Sequence, residues 1–407
     1  MFKMDVMRIQ FRIVDNNFVI WQSNSEFMKF ILRLICFATL FTFFGCRITN
    51  NKSTLPIDDM NPNLYMFVGT YTSPNGSQGI YLYNFNQENG THDFINVTPM
   101  SNPSYLTISD DEKYVYAVSE RGLDDSFVQS FSFDKKIKML RPINRQETKG
   151  SPCYVAQDAK TNKLYVANYG GGSVAGFDVE ENGKISPIKD FIKFEGTGAD
   201  PKRQKSSHVH TTVVSPDRKY LLVTDLGLDK MYRFNLNAKS LSKDDITENA
   251  FPSKTGPRHI VFSKDGKRLY VLGEISGEIH VFDFSDNAVK RIQTIAADSA
   301  GGQGSADIHI SPDGKFLYAS NRLKEDGTAI FKIDAADGKL SKIGYQLTAK
   351  HPRNFGITPN GKFLLVAGRD DNKIQVFKRD FAMGLLTDTH QDIQISKPVC
   401  IQFTTND

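Results

Sequence analysis

A chain of 407 residues with 40% hydrophobic and 24% charged residues can bury a large core, and its length alone would suggest two or three domains. The net charge is +4, with Lys, Asp and Glu interspersed and no basic block, so composition gives no case for nucleic acid as a partner. Four cysteines in a chain this long do not make a disulfide framework.

The amino terminus reads as a targeting segment. Residues 1–27 form an upstream extension outside the fold. Residues 28–46 then follow the order of a lipoprotein-type signal: basic Met28-Lys29-Phe30-Ile31-Leu32-Arg33, an apolar run from Leu34 to Phe44, then Gly45-Cys46. The apolar run is too short to span a bilayer. Cys46 is the expected site of lipidation, which places the protein in the cell envelope and on the membrane only through that lipid. Residues 47–60 are a linker. Cys153 and Cys400 occupy strand positions as small buried residues.

From residue 61 onward one phrase recurs roughly every 48 residues: Ser215-Pro216-Asp217-Arg218-Lys219, Ser263-Lys264-Asp265-Gly266-Lys267, Ser311-Pro312-Asp313-Gly314-Lys315 and Thr358-Pro359-Asn360-Gly361-Lys362. Looser copies centre on Lys113 and Lys163, and Asn63 to Val68 matches only the strand that follows the turn. Around each turn the sequence reads as short alternating strands, as in Arg258–Phe262, Arg268–Gly273, Glu278–Asp283 and Arg291–Ile295. Four antiparallel strands at this period predict a propeller blade, and seven copies predict an all-β, seven-bladed β-propeller over 61–407. The last first-strand phrase, Pro398-Val399-Cys400-Ile401, has no second strand after it, and the copy at Asn63 has no first. The two termini therefore share one blade and close the ring, removing the open edges that an unclosed sheet would expose.

The first strand of each blade starts, and the second ends, on the same face of the disc. Five residues before each turn Ser or its equivalent stand Ser104, Cys153, His210, Arg258, Ala306, Arg353 and Val399. Seven after each turn Lys or its equivalent stand Glu120, Gly170, Leu226, Glu274, Arg322, Arg369 and Thr70. An architectural column would be filled alike in every copy. These two diverge, with Arg, Glu and His in some blades only, which is how a site grafted on a regular scaffold reads. The excess of Arg suits an anionic ligand. His208 and His210, two apart, share a face of a regular strand, but no carboxylate or third ligand stands at a metal-binding spacing, so no metal is expected. His259 and His309 read as residues packed inside blades.

Glu195-Gly196, Pro201-Lys202-Arg203-Gln204, Ser206-Ser207-His208-Val209-His210 and Thr224-Asp225-Leu226-Gly227-Leu228-Asp229-Lys230, continued by Gly256-Pro257-Arg258-His259 and Pro352-Arg353-Asn354-Phe355, resemble the lactonase family of seven-bladed propellers. That family includes propeller-type 6-phosphogluconolactonases and the fungal 3-carboxy-cis,cis-muconate lactonizing enzyme. The resemblance implies catalytic roles for His210, Glu274, Arg258 and Arg322; Arg353, Arg369 and Glu120 of the two columns, together with His208 and Asp225, are the expected substrate-binding residues. The expected reaction is hydrolysis of an anionic, sugar-derived lactone, carried out by a monomer that needs no cofactor. Cyclisation of a carboxylated muconate, and a non-catalytic envelope propeller that binds an acidic sugar, are the alternatives.

Overall fold

The computed structural model describes residues 61–405 apart from Lys239 and Asn287. The expected extension, signal segment, linker and Cys46 lie outside the described residues. Seven antiparallel sheets form the propeller. We number the blades by their inner strands: Pro103–Ile108 (blade 1), Pro152–Asp158 (2), Val209–Val214 (3), Pro257–Phe262 (4), Ile308–Ile310 (5), Pro352–Ile357 (6) and Pro398–Thr405 (7). Blade 7 closes the ring: Pro398–Thr405 pairs with Asn63–Thr70, setting Val68 opposite Ile401 and Met66 opposite Phe403. Among the described residues, helix is confined to one 3-10 turn at Lys243–Asp245. Blade 6 departs from four strands, because its outer position is split between Leu386–Asp388 and Ile393–Gln394, both paired with Lys373–Arg379.

The recurring phrase is a side-chain staple for the inner hairpin. The first hydroxyl donates to the Asp or Asn two residues on, at 2.6 Å for Ser215–Asp217 and Ser263–Asp265, and at 2.8 Å for Thr358–Asn360. The same oxygen accepts the first amide of the next strand, as from Tyr220 and Phe316 at 3.0 Å. The Gly of the phrase has φ near +70° (Gly266 71°, Gly314 73°), a conformation that only glycine adopts without strain. Second strands such as Tyr220–Asp225 and Phe363–Gly368 are apolar on both faces because each is sandwiched between neighbouring blades, and they are buried almost throughout.

The start of each inner strand carries the detail that builds the site. In six blades the ladder slips at one residue: Ser104, Cys153, His210, Arg258, Arg353 and Val399 are each skipped between paired neighbours. In blade 5 the inner strand begins only at Ile308, and Ala306 and Asp307 bond instead to the backbone of Ser320. These are the residues of the first diverging column. A β-bulge frees one residue from the ladder and re-aims its side chain. Here it turns that residue toward the channel mouth.

Candidate active site

The second column follows from a shared backbone bond. Glu120, Leu226, Glu274 and Arg369 each donate their amide to the carbonyl two residues ahead of an inner strand's bulged residue, as Glu274 does to Gly256 at 2.8 Å. By the same bond the members in blades 2 and 7 are Tyr169, bonded to Ser151 at 3.0 Å, and Tyr71, bonded to Lys397 at 3.0 Å. Gly170 and Thr70 are therefore each one residue off. The turns of those blades depart from the common phrase, so a fixed count from the turn misses by one.

At the mouth a cavity of about 270 Å³ is lined by Glu120, Cys153, Tyr169, Arg203, His210, Glu274, Arg322, Leu323, His351, Arg353 and Arg369. Glu274 is its hub. Its Oε1 lies 2.5 Å from Arg203 Nη2, and its Oε2 lies 2.9 Å from Arg258 Nε and 3.3 Å from Arg322 Nη2. Burial pushes the Glu274 carboxyl up, but Arg322, Arg258 and Arg203 together outweigh it and hold the group at about 2. Glu274 is thus an ionised anchor for three guanidiniums. Opposite, Glu120 accepts from Tyr71 Oη at 2.9 Å and from Arg353 Nη2 at 3.3 Å, and the Arg353 guanidinium sits over the Tyr71 ring. His351 lies between Arg322 and Arg369, at 3.1 and 3.2 Å, and burial with those two cations brings it down to about 3.

His210 is buried, and its Nδ1 is 3.8 Å from Cys153 Sγ. Burial and then Arg258, His259 and Arg353 press its pKa well below the usual value, so the ring is neutral and carries an acceptor nitrogen. Burial pushes the Cys153 thiol up, and its Sγ lies 3.4 Å from the carbonyl of His210, so it is a protonated neighbour of the imidazole. Four guanidiniums and two carboxylates line the cavity, an imbalance that favours an anion.

Of the residues expected from sequence, the structure brings His210, Glu274, Arg322, Arg353, Arg369 and Glu120 into this one cavity. Arg258 is 1% exposed and lies beneath it, with Nη1 bonded to the Ala306 carbonyl, so it reaches the cavity through Glu274. His208 and Asp225 are not among the lining residues. The bulge at His210 breaks the period-2 rule that would put both histidines on one face. His208 instead stacks on the Tyr169 ring, centroids 4.4 Å apart, and its Nδ1 meets the Tyr169 carbonyl at 3.0 Å. Asp225 is fully buried and accepts from Ser207 Oγ (2.5 Å) and from the amides of His208, Gly227 and Leu228. Asp229 takes the amides of Gly256 and Lys254 and the Gln204 side chain. The Asp225-to-Asp229 block is therefore scaffolding, tying the loop before His210 to the strand that carries Arg258. At Gly227 a Cβ would come within 1.9 Å of the Ser206 carbonyl.

Column counting missed Arg203, Tyr169 and His351, which line the cavity, and Tyr71, which contacts Glu120 and Arg353. Arg203 sits on the loop between blades 2 and 3, where Asp200 takes the Lys202 and Arg203 amides and Gln204 Nε2 bonds the Leu226 carbonyl at 2.9 Å. The only sequence signal for it was the Pro201-Lys202-Arg203-Gln204 stretch, which stands outside the repeat.

Residues 65–403 match the family model described as "Lactonase, 7-bladed beta-propeller". The chain belongs to the seven-bladed lactonase family. It is 36% identical to a 6-phosphogluconolactonase of Formosa agariphila over 84% of this chain and 99% of that protein. It is 31% identical to the 6-phosphogluconolactonase of Bacillus subtilis, over 83% and 97%. The structure of a periplasmic gluconolactonase of Pseudomonas aeruginosa superposes on this lactonase-family propeller with a TM-score of 0.79 at 31% identity, covering 85% of this chain and all of that one.

Proposed function

We propose that this lactonase-family protein opens an anionic, sugar-derived lactone with a water activated by His210. The observation that carries the reading is the convergence of a neutral buried imidazole with four guanidiniums in one small cavity. Water attacks the acyl carbon and gives a proton to His210. Arg322 and Arg353 stabilise the oxyanion and the substrate's own negative group. The ring C–O bond then breaks, and the departing alkoxide takes the proton back from His210. Glu274, whose two oxygens are taken up by Arg203, Arg258 and Arg322, orients those guanidiniums and is not the proton acceptor. No cofactor enters this scheme.

A panel of sugar lactones, phosphorylated and not, alongside carboxylated muconates and aldonic acids, tests the reading. Acid release from an anionic lactone at rates far above the uncatalysed reaction is the expected result. Turnover of muconates alone would establish cyclisation, and calorimetric binding of sugar acids without turnover of any lactone would establish a binding propeller.

Export to the cell envelope, with Cys46 acylated, is part of the same proposal. Its support is the order of charges and apolar residues over 28–46 and the similarity to a periplasmic gluconolactonase. Intact mass of the mature protein is expected to start at a lipid-modified Cys46, and any other first residue rejects the lipid anchor.

A further inference from the structure

Beneath the cavity runs a second polar unit that the scheme above does not use. Asp307 is 2% exposed and carries contacts on both oxygens. Its Oδ1 meets His259 Nδ1 at 2.7 Å and accepts the Ile308 amide at 3.0 Å. Its Oδ2 meets His309 Nε2 at 3.0 Å and accepts from Asn354 Nδ2 (2.5 Å) and the Phe355 amide (3.2 Å). A carboxylate only accepts, so the proton of a neutral His259 must sit on Nδ1, leaving Nε2 as a bare acceptor. Burial and Arg258 bring His259 down to about 4, against the pull of Asp307, which keeps it neutral at ordinary pH.

Among the described residues, His259 Nε2, Ser104 Oγ and Arg258 Nε are buried side-chain atoms without a hydrogen-bond partner. Arg258 Nε is close to Glu274 Oε2 but is not aligned with it. The three residues are 5%, 2% and 1% exposed, and all line one crevice of about 10 Å³ that shares Cys153 and Arg353 with the cavity above. Buried polar atoms left unmatched cost about 1–3 kcal/mol each. A void of this size holds about one water, and that water needs two to four polar partners. An acceptor nitrogen, a hydroxyl and a guanidinium N–H supply them.

The geometry points to a binding site for one ordered water between Ser104 Oγ, His259 Nε2 and Arg258 Nε, with Asp307 as the positioning residue that sets the His259 tautomer the water requires. The water donates to His259 Nε2 and accepts from Arg258 Nε, while the Ser104 hydroxyl takes either part. Arg258 is thereby fixed under Glu274, and through Glu274 so are Arg203 and Arg322. Ser104 and Asp307 line no part of the cavity and act on it through Arg258 and through His259, whose ring also packs edge-on against His210, centroids 5.2 Å apart.

Three readouts test this, the last of which rests on the lactone-hydrolysis reading. A high-resolution crystal structure should show a water within hydrogen-bond distance of Ser104 Oγ and His259 Nε2. Imidazole ¹⁵N shifts should show His259 protonated on Nδ1 alone. In Asp307→Asn the new NH2 takes the Oδ1 position, which faces one backbone donor, the Ile308 amide, in preference to the Oδ2 position, which faces His309, Asn354 Nδ2 and the Phe355 amide, and so turns toward His259, reversing its tautomer. That variant and Ser104→Ala, with wild-type circular dichroism, should lose the water and about tenfold or more in kcat on the lactone, with KM within about twofold. A dry crevice in the wild type, or a proton on His259 Nε2, overturns the site. Unchanged kcat in both folded variants overturns its positioning role. A protein that hydrolyses no lactone rejects the proposed activity instead, and the density and ¹⁵N shifts still decide the water.

Discussion

Glu274→Gln will lose about a hundredfold or more of lactone turnover and several kcal/mol of stability at neutral pH. The amide keeps the shape of the carboxyl but leaves Arg203, Arg258 and Arg322 without their shared counter-charge. Removing one partner from a buried ion pair costs roughly 3–5 kcal/mol, because the charge left behind is uncompensated. Loss of a preorganised charge contact at a developing oxyanion costs about 10²–10³ in rate. The stability term has a defined pH window. The Glu274 pKa falls from the ordinary 4.5 to about 2 on folding. Its contribution is therefore fully present above about 4.5 and fades as pH falls toward 2. Denaturant unfolding of the two proteins from pH 7 downward should show a gap that is constant and then closes below 4.5. Equal stability at pH 7 would mean that the three guanidiniums need no buried anion.

His210→Gln will lower kcat by about a hundredfold or more while KM changes far less, the signature of a group needed in the transition state and not for binding. Among the described side chains of the cavity the imidazole is the acceptor for which no arginine contact is seen, since Glu274 is taken up by three guanidiniums, Glu120 by Arg353, and His351 lies between Arg322 and Arg369. Gln keeps a polar side chain of similar reach beside Cys153 and Tyr169 but cannot take up a proton. Single-turnover kinetics of lactone opening measure the step directly. A rate within about threefold of wild type would move the base elsewhere.

Fold and site differed in how far they could be read from the chain. The Ser/Thr-x-Asp/Asn staple imposes one hairpin geometry, so copies of it betray blades 1, 3, 4, 5 and 6, and the orphan strands at Asn63 and Pro398 betray the closure. Residues at fixed distance from that staple, such as Glu274 and Arg322, were legible for the same reason. The bulge was not: nothing in Val209-His210-Thr211 announces a slip of the ladder, and only the slip separates His210 from His208. Arg203 rides on a loop outside the repeat, and Tyr71 and Tyr169 follow irregular turns, so counting could not find them. Asp225 was conspicuous because it is indispensable to the backbone of that loop, which in sequence looks the same as indispensable to a ligand.

The most direct measurement is a crystal structure of the propeller with an aldonate, the ring-opened product of a sugar lactone. The product carboxylate is expected within hydrogen-bond distance of Arg322 or Arg353, with its carbon facing His210, inside the cavity bounded by Glu120 and Glu274. An aldonate bound on another face of the disc, or lying in the cavity with its carboxylate turned away from both arginines, would contradict the assignment.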